Sequence, residues 1–296
     1  MTGILLLILA IVFSGTYALG LKPANQRCAS LAEFQLFSGC LTGAAALASL
    51  VSCLVQGKAY LPWSGVLVAV SFGIVFSFCV FRNLKALQEG PVSLTVLIIN
   101  FSLVFQLVYS FLFLNEPVTV PRIAGIALLF VCMFLFSNPK VSGERLSPRW
   151  LISCVISMVL NGALSIIAKV YAIGTNNAYS SSFLMWGYVF ATLTSLALAL
   201  ILNVRLPQEN RISLRRFFTP AMFGLILFVG LSNFGLNLAV LLLATLMDGA
   251  IVYPAVQGGG PIIAAIGSRL FFREKISWKK ALAILLGAAA IVLLNL

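Results

Sequence analysis

Apolar residues run along this chain in ten long stretches separated by short polar breaks, at about 2–20, 33–55, 62–81, 92–114, 118–137, 149–171, 180–203, 217–240, 249–271 and 279–296. Each approaches the roughly 20 residues that a helix needs to cross a bilayer. The pattern predicts an all-α, polytopic membrane protein of ten transmembrane helices. Pro62, Pro91 and Pro121 fall near helix starts, where a missing N–H costs little. Asp248 stands at the N-cap position of the ninth span. The first run has no basic stretch before it and no small-residue cleavage signature after it, so it reads as a retained span.

Composition agrees with the pattern. Hydrophobic residues make up 61% of the 296, charged residues only 9%, and mean hydropathy is +1.09. A soluble domain carries about 25% charged residues. The net charge of +12 is a matter of sidedness. Sixteen Lys and Arg (22, 27, 82, 85, 140, 145, 149, 205, 211, 215, 216, 269, 273, 275, 279 and 280) lie in or beside the odd-numbered loops, against three (Lys58, Arg122 and Lys169) on the other side. The positive-inside rule then puts the odd loops in the cytoplasm and both termini outside. No soluble base-reading domain accompanies the charge, so nucleic acid is not an expected partner. The six cysteines have no C-x-x-C spacing, and the chain contains no histidine. No metal site, cofactor or imidazole chemistry is expected.

Two stretches answer each other. Leu112 to Thr119 reads LFLNEPVT and Leu270 to Ser277 reads LFFREKIS, 158 positions apart. In that register Glu116 falls on Glu274, Thr119 on Ser277, Arg122 on Lys280 and Gly90-Pro91 on Asp248-Gly249, without a gap from about 84–137 against 242–295. Earlier, at an offset of 147, Gly15 falls on Gly162 and Lys22 on Lys169. The chain divides into two five-span halves, 1–145 and 146–296. Five is odd, so homologous halves in one chain cross the membrane in opposite senses, as inverted repeats whose interface near the midplane holds the substrate in many transporters. The two corner carboxylates precede helices, where a negative charge favours the dipole end. They read as corner-stabilising groups with Arg122 and Lys279 or Lys280 as nearby partners.

Polar residues inside membrane helices face protein or water, not lipid. The sixth span carries Ser157, Asn161, Ser165 and Lys169 at a spacing of four, and the eighth carries Asn233 and Asn237. The ninth holds YPAVQGGGP at mid-span, with Tyr253 and Gln257 on one face. Pro254 and Pro261 remove backbone donors around three glycines, which predicts a broken or bent substrate-facing helix. Asn100 is the mid-membrane polar group of the fourth span, with Ser102, Gln106 and Ser110 on a second face, and the first span adds Ser14 and Tyr17. The candidate substrate-binding set is therefore Ser14, Tyr17, Asn100, Asn161, Ser165, Lys169, Asn233, Asn237, Tyr253 and Gln257. The competing structural reading is interhelical hydrogen bonding, with Lys169 reaching to the interface.

Ten spans in two halves, each ending apolar-x-x-Glu-x-aliphatic-Ser/Thr, resemble the EamA-type branch of the drug/metabolite transporter superfamily. Gly125, nine after Glu116, fits that corner, and the second half departs from it with Ala283 there and Gly287 four later. The resemblance implies that helices 1, 3, 4, 6, 8 and 9 line a central cavity supported by helices 5 and 10. It implies transport of amino acids, other small metabolites, nucleotide sugars or drugs, and termini in the cytoplasm, against the charge count.

The absence of any mid-span Asp or Glu disfavours a proton-coupled cation exporter. No nucleotide-binding loop is present for direct ATP drive. A membrane-embedded enzyme would need clustered carboxylates or a Ser/His or Cys/His pair, and a structural or receptor subunit has no use for inverted symmetry. The expectation is a secondary transporter or facilitator, on the exporting side, for a small polar metabolite such as an amino acid. Its partners are that solute and membrane lipids, in the cell membrane, with Lys169 suited to a carboxylate. The alternative is an exchanger of anionic or nucleotide-linked metabolites, which would want further cavity-facing basic residues. The sequence assigns no oligomeric state.

Overall fold

The computed structural model describes residues 2–57, 60–137, 147–208, 211–272 and 278–294, and every regular element among them is a helix. In chain order these are α1 (Thr2–Arg27), α2 (Leu31–Gln56), α3 (Trp63–Glu89), α4 (Val92–Asn100), α5 (Ser102–Phe113), α6 (Val120–Ser137), α7 (Pro148–Gly174), α8 (Ser180–Val204), α9 (Leu214–Phe217), α10 (Pro220–Leu243), α11 (Gly249–Phe272) and α12 (Trp278–Leu294). Eight stretches among them are long and apolar enough to cross a membrane, α4 with α5 counting as one, while Val120–Leu135 and Ala281–Leu294 are shorter apolar helices. The corner residues Glu274, Ile276 and Ser277, like Lys58, lie outside the described residues.

Local sequence sets the helix ends. Ser30, Ser147 and Thr219 each accept an amide of the following turn through their hydroxyls, and Pro148 and Pro220 then open α7 and α10. Burial is inverted relative to a soluble protein. Leu54, Leu200 and Leu285 are more than 60% exposed on the outside, while the hydrogen-bonded Thr42, Ser77 and Ser110 are fully buried between helices. A lipid-facing exterior and a polar-stitched interior account for both.

The principal seams run between the two halves of the chain. α2 packs on α8, α6 on α12, α1 on α10 and α11, and α3 on α7 and α8. Small residues permit the close crossings. A Cβ on Gly73 of α3 would meet the Gly187 carbonyl and Ala191 amide of α8, and one on Gly230 of α10 would meet the Leu41 carbonyl and Ala45 amide of α2. Gly15 lies against Ile263 and Gly162 against Phe105, and positions 105 and 263 are 158 apart. Gly125 lies against Ala290, while the Cys132 thiol donates to the Ala283 carbonyl at 2.7 Å. Each contact thus has a counterpart under exchange of the halves, and Ala283 is accommodated by the small Cys132.

The helix interruption falls elsewhere than expected. α11 is a continuous helix from Gly249 to Phe272 with Pro254 and Pro261 inside it. Its glycines serve close packing: Gly258 abuts Leu129 of α6, Gly259 abuts Ile11 of α1, and Gly260 abuts Ser14 of α1. The break is in the fourth span instead. There α4 ends at Asn100, and the Phe101 amide is shared between the Leu97 and Ile98 carbonyls at 3.3 and 3.0 Å. No proline or glycine occupies that turn.

Candidate functional site

A cavity of about 340 Å³ lies among α1, α3, α7, α10 and α11. It is lined by eight of the ten candidates: Ser14, Tyr17, Asn161, Ser165, Asn233, Asn237, Tyr253 and Gln257. Phe72, Phe76, Cys79 and Asn83 of α3 complete its wall. No Lys, Arg, Asp or Glu is among the lining residues. Asn100 and Lys169 do not line it: Asn100 ends α4, and Lys169 is buried elsewhere, 3% exposed.

The polar side chains are held by one another. Gln106 of α5 donates to the Ser165 hydroxyl at 2.8 Å and accepts from Gln257 at 2.9 Å, bridging three helices. Asn161 donates to the Asn83 side chain at 3.3 Å and to the Ser157 carbonyl at 2.8 Å. Tyr253 donates to the Ser165 carbonyl at 3.2 Å. Asn237 donates to both oxygens of Asn233, at 2.9 and 3.0 Å, while Tyr188 donates to the Asn233 carbonyl at 3.1 Å.

Asn83 and Gln106 were absent from the sequence-derived set. Asn83 lies among Arg82 and Lys85, just past the predicted end of the third span, although Phe72, Phe76 and Asn83 repeat at helical spacing. In the sequence pattern Gln106 falls on a separate face of its span from Asn100, and its role as a bridge depends on how α5 meets α7 and α11.

A second polar cluster stands on the even-loop face. α5 ends at Phe113, Asn115 takes a left-handed φ of 52°, and the Glu116 amide returns to the Ser110 carbonyl at 3.3 Å. Asparagine tolerates that conformation, and Pro117 stops the helix. The turn delivers the Glu116 carboxylate to the start of α11, where it accepts the Gly249 and Ala250 amides at 2.8 Å each. Lys169 of α7 pairs with the same carboxylate and donates to the Ser110 hydroxyl at 3.2 Å, its ammonium 5.7 Å from the Tyr253 ring centre. Gly249 is required here, since a Cβ would collide with the Lys169 ammonium and the Ser110 hydroxyl.

Glu116 therefore supplies the cap that the sequence assigned to Asp248. Asp248 instead pairs with Arg122 at 2.7 Å, and Arg122 also donates to the Pro117 carbonyl at 2.9 Å. The expected partnership of Arg122 with Glu116 gives way because the left-handed turn aims the carboxylate at α11. Burial alone would raise the Glu116 carboxyl, but Lys169 and the two amides outweigh it and hold the group below the usual carboxylate range.

The two faces differ around the cavity. Toward the odd loops lies a further space of about 420 Å³, which shares Tyr17, Leu21, Val80 and Asn83 with the central cavity and reaches Lys22 and Asn25. Toward the even loops, a vestibule of about 470 Å³ is lined by Glu116, Lys169, Asn176 and Asp248 and has no lining residue in common with the central cavity. The Glu116–Lys169 pair and the Tyr253 ring stand between them.

The sequence model of a family described as the EamA-like transporter family matches residues 1–138 and again 148–296, once in each half. A solved structure described as a crystal structure of a protein superimposes with a TM-score of 0.77 at 13% identity, covering 99% of this chain and 96% of that one, a likeness of fold. Among curated proteins, none matches the chain.

Proposed function

The chain belongs to the EamA-like transporter family and is a multi-pass membrane protein, and from that premise we propose that it is a secondary transporter or facilitator moving a small polar metabolite by alternating access. The substrate site is the central cavity. The observation that carries this reading is the convergence of Asn83, Asn161, Asn233, Asn237 and Gln257 on one inner space with no charged residue in its lining. Intramembrane polar groups are costly and mark substrate paths, and few convergent polar groups in an otherwise apolar pocket are the usual form of a solute site.

Ten spans in two inverted halves, 1–145 and 146–296, are the framework of the mechanism. The matched close approaches, Gly73 on α8 beside Gly230 on α2 and Gly15 on Ile263 beside Gly162 on Phe105, support it, as does the double family match. Rocking one half against the other exposes the cavity alternately. In this mechanism the bonds of Glu116 between the corner after α5 and the start of α11 close the even-loop face. The path toward the odd-loop face runs past the residues that the two inner spaces share. The 16-to-3 distribution of basic residues supports a cytoplasmic odd-loop face in the cell membrane, so that the state is inward-facing. Export is the direction proposed.

Counterflow in proteoliposomes tests the reading. Labelled amino acids, carboxylates, nucleobases and quaternary amines are offered with and without a pH gradient to the wild type, Asn161→Ala and Gln257→Ala. Saturable exchange of a solute, lost in both variants, is the expected result. Exchange that is unchanged in both variants removes the cavity from the mechanism.

A further inference from the structure

The hydrogen bonds around the central cavity have a direction. Ser165 donates its hydroxyl proton to the Asn161 carbonyl at 3.4 Å, so its oxygen serves as acceptor for Gln106. The Gln106 oxygen then accepts from the Gln257 amide nitrogen, and Gln257 Oε1 is left buried with no partner. On α10, the Asn233 side-chain oxygen is taken by Asn237, and Asn233 Nδ2 is left buried with no partner on a residue 2% exposed. One lone acceptor and one lone donor thus stand on residues that line the same cavity. A buried polar group without a partner costs about 1–3 kcal/mol, and a turn of either side chain toward the cavity that both residues line would give it a solute as partner.

The lining offers no ion to balance a charge. The ammonium of Lys169 is committed to Glu116 and lines the vestibule, and that of Lys22 lines the adjoining space toward the odd loops. A carboxylate or an ammonium entering the cavity exchanges water for neutral amides and keeps its charge uncompensated. A carboxamide carries a donor and an acceptor in one neutral group, and the rings of Phe72, Phe76, Tyr17 and Tyr253 suit a flat body attached to it.

Resting on the reading of this cavity as the substrate site, we propose that it selects uncharged solutes of the carboxamide or cyclic-amide class, Gln257 Oε1 accepting from them and Asn233 Nδ2 donating to them. This narrows the expectation drawn from the sequence, which placed a substrate carboxylate on Lys169.

Three solutes of one shape test it: pyridine-3-carboxamide, pyridine-3-carboxylate and 3-(aminomethyl)pyridine, compared as labelled substrates in counterflow and as ligands in thermal-shift titrations of the protein in nanodiscs. The carboxamide is expected to bind and exchange at least about tenfold better than either analogue, the discrimination that one unpaired polar group brings. Asn233→Asp replaces the donor with a carboxylate and is expected to move the preference to the amine. Gln257→Leu removes the acceptor and is expected to lower carboxamide affinity without raising that of the carboxylate. Equal or better binding of either analogue by the wild type overturns the proposal, as does absence of binding by all three. Labelled amino acids in the same vesicles separate the two claims. Saturable amino-acid exchange with no preference for the carboxamide overturns the substrate class and leaves the transporter standing, whereas no exchange of any solute overturns both.

Discussion

The Glu116–Lys169 pair at the corner and the central cavity are both polar and both inside the bundle, yet they are completed in opposite ways. At the corner, the charged atoms have partners from the chain itself: Lys169 and two amides on Glu116, Asp248 on Arg122. In the cavity the groups are neutral and two polar atoms are left over. A buried charge must be matched by its own protein, because leaving it unmatched costs several kcal/mol. An unpaired amide costs less and can wait for a visitor. The finished region is suited to holding the structure shut, and the unfinished one to binding.

That contrast breaks most visibly at Lys169. Lys169→Met strands the Glu116 carboxylate, and unfolding stability in detergent is expected to fall by about 3–5 kcal/mol, the cost of an uncompensated buried charge. Glu116→Leu combined with Lys169→Met is expected to recover part of that loss in a double-mutant cycle. A single-variant loss under about 1 kcal/mol, the range of a surface pair, would dissolve the distinction between the two regions.

The cavity variants are the mirror image. Asn161→Ala and Gln257→Ala are expected to change stability by under about 1 kcal/mol, the ordinary worth of an interhelical hydrogen bond in a membrane, while abolishing exchange. Thermal unfolding and counterflow on the same preparations check both halves of that statement.

The smallest effect concerns pH. Glu116 has its folded-state value depressed by Lys169 and the amides. The stability it contributes is therefore fully present above the unfolded carboxylate value of about 4.3 and is lost only as pH falls through the lower folded value. The stability difference between wild type and Glu116→Gln is expected to stay constant from about pH 6 to pH 8 and to shrink only in acid. A difference that changed across neutrality would make Glu116 a proton carrier rather than a latch.

Much of this arrangement is legible in the sequence because helix periodicity and repeat register are local or pairwise properties. The four-residue spacing of Asn161 and Ser165, and of Asn233 and Asn237, was enough to put them on cavity-facing stripes. The 158-residue register also relates Phe105 to Ile263, and these turned out to be the neighbours of the paired glycines at 162 and 15. What stayed hidden depends on rotation and tilt between helices. Gln106 joins the network only through the angle at which α5 meets α7 and α11. The glycines of YPAVQGGGP read as the mark of a broken or bent helix, because sequence does not reveal that Ile11, Ser14 and Leu129 come close enough to need them. Lys169 looked like a ligand for a substrate carboxylate, and the structure supplies a carboxylate from the protein's own corner. A left-handed asparagine decided that outcome, and such a turn is not visible in a hydropathy pattern.

The seams between the halves have a consequence for biosynthesis. The first half leaves the ribosome before any of its main packing partners exist, since α1, α2, α3 and α6 all pack chiefly on helices of the second half. Until α7 to α12 arrive, Thr42, Ser77 and Gln106, whose interhelical partners lie in α7, α8 and α11, wait in the bilayer with those bonds unmade. These seams close only when both halves are present, and the pace at which the second half is made sets how long those groups stay uncovered.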